Sequence, residues 1–228
     1  MFTKYYVYGI MTLLQAGNGR MIIHTRLSGS EGEMKEKNTR IIVYHGSNDI
    51  VKHPDYTKSR VDIDFGVGFY LSDDKNMASK WACNKNNSIL NIYELELDGM
   101  KIKRFEPDKE WLDYVVANRM LDKEWLTDFN DMQYDILTGP TADDKLFNTI
   151  DLYNDGIVSA ETAVKIINCM NYSNQIVLKS KEALGRISFL DSHKMFGLEK
   201  ERLIQQFRED RNAANQRTRQ ILQEINGR

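Results

Sequence analysis

Asp64-Phe65-Gly66-Val67-Gly68-Phe69-Tyr70-Leu71-Ser72 sets two glycines, one residue apart, ahead of an aromatic pair, a leucine and a serine. Glycine carries no Cβ, so this backbone can turn sharply and lie close against a flat ligand. Phe-Tyr-Leu is strand-prone, and Ser72-Asp73-Asp74 is a polar helix start. The stretch therefore predicts a tight loop, a short strand and a helix. Upstream, Ile41-Ile42-Val43-Tyr44-His45-Gly46-Ser47 is an apolar strand that ends in His-Gly-Ser. The two segments are expected to lie side by side and to form one nucleotide pocket.

Composition bounds the rest. The chain has 228 residues, 41% hydrophobic and 28% charged, the profile of an ordinary globular protein. A formal net charge of -2 gives no electrostatic support for non-specific nucleic-acid binding, although a local patch could hold a nucleic-acid substrate. Two cysteines, Cys83 and Cys169, make neither a disulfide framework nor a metal site, and point to a reducing cytoplasm. No apolar run approaches the roughly 20 residues of a membrane span.

Residues 1–38 differ from the rest of the chain. Met1 to Gln15 is mildly apolar and aromatic but lacks a long apolar core and a small-residue cleavage site, so it is a poor signal peptide. Gly17 to Lys37 is rich in Gly, Ser and charge. This part is expected to be a flexible arm or a non-native extension, with Met34 near the start of the domain. Residues 39–192 are expected to form one domain and 193–228 a charged C-terminal helix. Within the domain, strand signals fall at 41–44, 69–71, 90–97, 100–105, 134–138, 175–179 and 187–190, the fifth stopped by Gly139-Pro140. Helical signals fall at 74–84, 108–120, 145–153 and 159–170. In the second of these, Trp111, Leu112, Val115, Val116 and Met120 make the apolar stripe. Strands do not alternate regularly with helices, which argues against a doubly wound parallel sheet. The expected fold is α+β, a mixed and mostly antiparallel split sheet with inserted helices.

His45-Gly46-Ser47, then Gly66-Val67-Gly68-Phe69-Tyr70-Leu71, then Ala78-Ser79-Lys80-Trp81 together resemble the ADP-ribosyltransferase superfamily. The resemblance is to its His-Tyr-Glu branch, shared by diphtheria-type toxins and poly(ADP-ribose) polymerases. The spacing of Tyr70 to Trp81 is similar to that of the two stacking aromatics there. The run from Tyr44 to Leu190 further resembles a bacterial group of that superfamily, through Asp-Phe-Gly-x-Gly-Phe-Tyr, the Trp-Leu-x-x-Val-x-x-Asn-Arg of 111–119, the Gly-Pro-x-Ala-Asp-Asp of 139–144 and a late Gln-Ile.

The resemblance implies NAD as substrate and assigns roles. A site that cleaves the nicotinamide–ribose bond must grip the carboxamide, stack the ring, hold the ribose hydroxyls and stabilise an oxocarbenium. Gly46 would pair its backbone with the carboxamide, and His45 would hold a ribose hydroxyl. Tyr70 and Trp81 would sandwich the ring, although Trp81 also shares an apolar helix face with Met77 and Ala78. Gly68 belongs to the loop that lets backbone approach the ligand. Arg60 is a candidate for the pyrophosphate and Ser47 for the adenosine side. No metal is implied.

At the third motif position the superfamily usually places a Glu, and the matching residue here is Gln175. A glutamine can hydrogen-bond a ribose hydroxyl but brings no charge, so polymer elongation is not expected. Asp143 or Asp144 could supply charge, or simply cap a helix. The resemblance thus implies a mono-ADP-ribosyltransferase acting on a protein or nucleic-acid acceptor, in the manner of a bacterial toxin or delivered effector, with an antitoxin or other partner protein. The alternatives are an NAD glycohydrolase and a non-catalytic NAD-binding module.

Overall fold

The computed structural model describes the backbone of Thr3–Val7, Ile10–Gly17 and Arg20–Leu27, together with residues 39–57, 59–83, 86–126, 129–142, 147–168 and 173–226. The first three segments are β1, β2 and β3, paired antiparallel in chain order. They lie within the stretch expected to be a flexible arm, and β3 meets the following strand through one pair, Ile23↔Arg40.

Seven further strands build the sheet that carries the site. They are β4 (Arg40–Ser47), β5 (Phe69–Ser72), β6 (Ser88–Glu96), β7 (Ile102–Arg104), β8 (Ile136–Pro140), β9 (Asn174–Leu178) and β10 (Ile187–Met195). Their order is β10-β6-β4-β5-β9-β8-β7. Every neighbouring pair is antiparallel except the parallel β7–β8. The fold is α+β with a mixed, mostly antiparallel sheet, as the sequence predicts. β10 runs beyond its expected end at Leu190, and β8 runs through Gly139-Pro140 rather than stopping there. Proline is tolerated because it is the last residue of β8, beyond the last β7 pair at Thr138, and the Trp111 indole donates to its carbonyl at 3.1 Å. Gly139 fits because a Cβ there would come within 2.8 Å of the Phe105 Cβ.

Strand alternation divides the core. One sheet face is a single apolar layer of Val43, Phe69, Leu71, Tyr93, Ile176 and Leu178 with their neighbours. The other face is covered by helices in two blocks. Ala78 and Ala82 of α1 (Lys75–Cys83) cluster with Leu90 and Met195 of the sheet. Trp111 and Val115 of α2 (Lys109–Arg119), Ile150 of α3 (Phe147–Asn154) and Ile166 of α4 (Ala160–Asn168) cluster with Leu137 and Val177. α2 starts where Asp108 accepts from the Trp111 N–H at 3.0 Å. Its stripe is buried from Trp111 to Val116, whereas Met120 caps the helix end and is exposed. The short α5 (Lys181–Gly185) packs Ala183 on the first face.

The C-terminal helix α6 (Gly197–Asn226) spans the two helical blocks. Leu203 joins the cluster under α1, while Ala214, Ile221 and Leu222 pack on the cluster of α2 to α4. Asp210 meets the nearly buried Lys80 of α1 at 2.6 Å. No helix of the described residues is long and apolar enough to cross a membrane.

Trp111 is fully buried where α2 meets β8. Trp111→Ala is expected to cost about 3–5 kcal/mol by opening a cavity, read as a lower urea midpoint at unchanged slope.

Candidate functional site

The sheet divides at β4 and β5, which meet through the single pair Tyr44↔Ser72. Beyond it the strands part, and the His45 side chain enters the gap. Its Nδ1 lies 2.7 Å from the Tyr70 carbonyl oxygen. A carbonyl only accepts, so Nδ1 carries the proton and, in the neutral ring, Nε2 is the acceptor nitrogen. The imidazole takes the place of the ladder bond that a continuing β4–β5 pairing would make. Its ring rests on Phe69, centroids 4.6 Å apart.

β5 pairs fully with β9, Tyr70 opposite Val177 and Ser72 opposite Gln175. His45, Tyr70 and Gln175 therefore stand on three neighbouring strands, β4, β5 and β9, while the Ala78–Trp81 segment lies on α1. Tyr70 and Gln175 share the helix-covered face, because they are diagonal neighbours across that ladder. His45 contacts Phe69, one residue away from Tyr70 and so on the alternate side of β5.

The Tyr70 ring packs on the α2–α4 cluster. Its hydroxyl donates to the Gly66 carbonyl at 2.8 Å and accepts from the Phe65 N–H at 3.0 Å. Burial, and after it the Asp64 charge, push this phenol well above its ordinary value. Tyr70 thus braces the glycine loop from inside. Gly66 has φ +63°, which favours glycine, and a Cβ there would stand 2.6 Å from the Asn118 Oδ1. A Cβ on Gly68 would stand 2.4 Å from the Val177 Cγ1. Gly46 is a glycine for a similar reason: its Cβ would meet the Ala78 carbonyl at 2.3 Å and the Ala82 N at 2.7 Å. The loop and β4 are close-packed on protein at these positions.

Gln175 is 2% exposed. Its Nε2 donates to the Asp64 Oδ2 at 2.9 Å and to the Pro140 carbonyl at 3.0 Å. Asp64, 8% exposed, is the hub of this cluster. Arg119 at the end of α2 lays Nε and Nη2 on its Oδ1 at 2.9 and 2.6 Å, and the Ala142 N–H donates to its Oδ2 at 2.8 Å. Arg119 also donates to the Ala142 carbonyl. Sequence alone assigns neither Asp64 nor Arg119 a role in the site. Their signal is position only: Asp64 opens the glycine stretch and Arg119 closes the α2 motif.

The remaining expected residues are spread around this centre. Trp81 is half-buried on α1, and among the described residues no ring contact joins it to Tyr70. The Ser47 hydroxyl donates to the Asp49 carbonyl at 2.6 Å and accepts from the Asn91 Nδ2 at 3.0 Å, so it shapes the exit from β4. Arg60 is an exposed loop residue that forks onto Asp62 at 3.0 and 2.9 Å. Asp143, Asp144 and Cys169 lie outside the described residues. Cys83 is buried beneath α6, and burial pushes its thiol upward, which suits packing.

Fold and site together define an α+β protein whose sheet is split beside a buried Gln–Asp–Arg cluster. The chain belongs to the family described as protein of unknown function (DUF3990), which matches residues 41–189 and so takes in β4, β5 and β9. No curated protein and no solved structure matches it.

Two substitutions test this geometry. Tyr70→Phe keeps the ring but removes both hydroxyl bonds, and is expected to cost about 1–3 kcal/mol in chemical denaturation. Gly46→Ala forces β4 from α1 and is expected to cost about 1–3 kcal/mol, lowering the melting temperature of the apo protein.

Proposed function

We propose that this protein is a mono-ADP-ribosyltransferase that cleaves NAD, releases nicotinamide and passes ADP-ribose to a macromolecular acceptor. The observation that carries the reading is the adjacency of β4, β5 and β9, the strands that carry His45, Tyr70 and Gln175, with the sheet split between the first two. The reaction breaks the bond from ribose C1′ to the nicotinamide nitrogen. Both bonding electrons leave with nicotinamide, the ribose becomes an oxocarbenium, and an acceptor hydroxyl, amine or carboxylate attacks C1′, losing any proton it carries.

Each residue has a physical task in this scheme. His45, whose Nδ1 donates to the Tyr70 carbonyl, would hold a ribose hydroxyl. Tyr70 supplies a ring that its own hydroxyl bonds hold still, and Trp81 is the second wall of the nicotinamide sandwich. The Gly46 backbone grips the carboxamide, and Gly68 lies in the loop alongside. Gln175, with Nε2 committed to Asp64, offers Oε1 to the ribose 2′-hydroxyl. Arg60 would exchange Asp62 for the pyrophosphate, one anion for another. Ser47 would have to release Asp49 to reach the adenosine side.

The acceptor is a protein or nucleic-acid group, and a toxin or effector setting with an antitoxin partner suits such chemistry by family analogy alone. Water in place of the acceptor would make the protein an NAD glycohydrolase. The uncharged Gln175 favours a second reading, an NAD-binding module without turnover.

Nicotinamide release from NAD, with cell lysate as the acceptor source, decides among these. Wild type is expected to release nicotinamide and to label a macromolecule, and His45→Ala and Gln175→Ala each to lose on the order of 100-fold in rate. NAD binding without release would replace the enzyme with the binding module.

A further inference from the structure

We propose that Asp64 is a positioning residue for this reaction: it holds the Gln175 side chain in one orientation, with Nε2 turned into the protein and Oε1 left to meet the substrate. The inference rests on the NAD reading above and adds a residue to it. Both atoms facing Nε2 are pure acceptors, the Asp64 Oδ2 at 2.9 Å and the Pro140 carbonyl at 3.0 Å. Flipping the amide would press Oε1 against two oxygens, with a buried N–H lost to each. Asp64 is itself held at both oxygens, because Arg119 donates twice to Oδ1 and the Ala142 N–H donates to Oδ2.

The negative charge expected at the third motif position therefore sits one amide behind it. An ionised carboxylate bonded to Nε2–H draws the amide's electrons toward Oε1 and strengthens that oxygen as an acceptor. The arrangement is specific to glutamine. A glutamate in its place would set its own carboxylate against Asp64 and the Pro140 carbonyl, in a site with almost no solvent to screen them.

The experiment is a double-mutant cycle on the full chain: wild type, Gln175→Glu, Asp64→Asn and the double variant. Nicotinamide release gives kcat and KM separately, calorimetry gives the Kd for NAD, and melting confirms that each variant is folded. Gln175→Glu is expected to lower kcat about 100-fold with a smaller change in KM. In the Asp64→Asn background the same change is expected to cost about tenfold less, because the introduced asparagine amide can donate an N–H to the introduced carboxylate. An equal cost in both backgrounds, or an undiminished kcat in Gln175→Glu, overturns the proposal while the transferase reading stands.

A wild type that binds NAD but releases no nicotinamide removes the transferase reading. The cycle is then read in Kd, where the same tenfold coupling supports the positioning role and its absence overturns it. A wild type that does not bind NAD overturns both. Should Asp64→Asn fail to fold, the Gln175 side-chain amide protons of the wild-type chain decide by NMR: slow exchange with solvent supports the held orientation, and fast exchange overturns it.

Discussion

A buried carboxylate must be satisfied or it unfolds its surroundings. Asp64 satisfies its two oxygens with N–H groups from Arg119, Ala142 and Gln175, drawn from α2, the segment after β8, and β9. Asp64 itself belongs to the loop before β5, and the Asn118 side chain holds its carbonyl at 3.3 Å. Four segments far apart in the chain are thereby fixed around one charge. The position of Gln175 is a consequence of that network as much as of the β9 ladder. The glycine loop is held from the same place, since Gly66 leaves room for Asn118 and the Tyr70 hydroxyl closes on the Gly66 carbonyl.

The second constraint is close packing at the split. α1 lies so near β4 that only glycine fits at 46, and the single β4–β5 pair leaves His45 to bridge the gap with its ring. These two facts belong together. A helix pressed on one strand and a loop pressed on the next leave little freedom to zip the strands further. The gap is therefore built by packing on both sides, and α6 reinforces it by contacting the cluster under α1 and the cluster under α2 to α4.

Much of this was legible in the residues. The apolar run at 41–44, the alternation at 90–97 and the stripe from Trp111 to Val116 each became the expected element, because burial dominates such segments. The strands that carry His45, Tyr70 and Gln175 are neighbours in the sheet, with His45 on the side of β5 opposite Tyr70 and Gln175. What pattern could not supply was long-range polar pairing. Nothing local ties Asp64 to Arg119, 55 positions away, or to Gln175, 111 away. Glycine was ambiguous for a related reason: a missing side chain reads the same whether a ligand or a helix fills the space, and at Gly46 a helix does. Arg60 and Ser47 read as ligand-ready because their nearest partners, Asp62 and Asp49, are sequence neighbours that form local turns and ion pairs without a periodic signal. β8 takes in Gly139-Pro140 because β9 continues alongside, with Gln175 and Asn174 opposite them, and the Pro140 carbonyl is met by the Trp111 and Gln175 side chains.

The place of β9 bears on how the molecule comes into being. It is a central strand, paired with β5 on one side and β8 on the other, yet Ser72 waits for Gln175 across 103 positions of chain. Pairings of such long range close slowly, since the entropy of the intervening loop opposes them until many contacts form together. A nascent chain that has delivered β4, β5 and α1 owns His45, Tyr70 and Trp81 and an open sheet edge, but no Gln175 and no filled Asp64 network. The Gln–Asp–Arg cluster therefore cannot close until β9 has been made, and a growing polypeptide without that strand lacks Gln175.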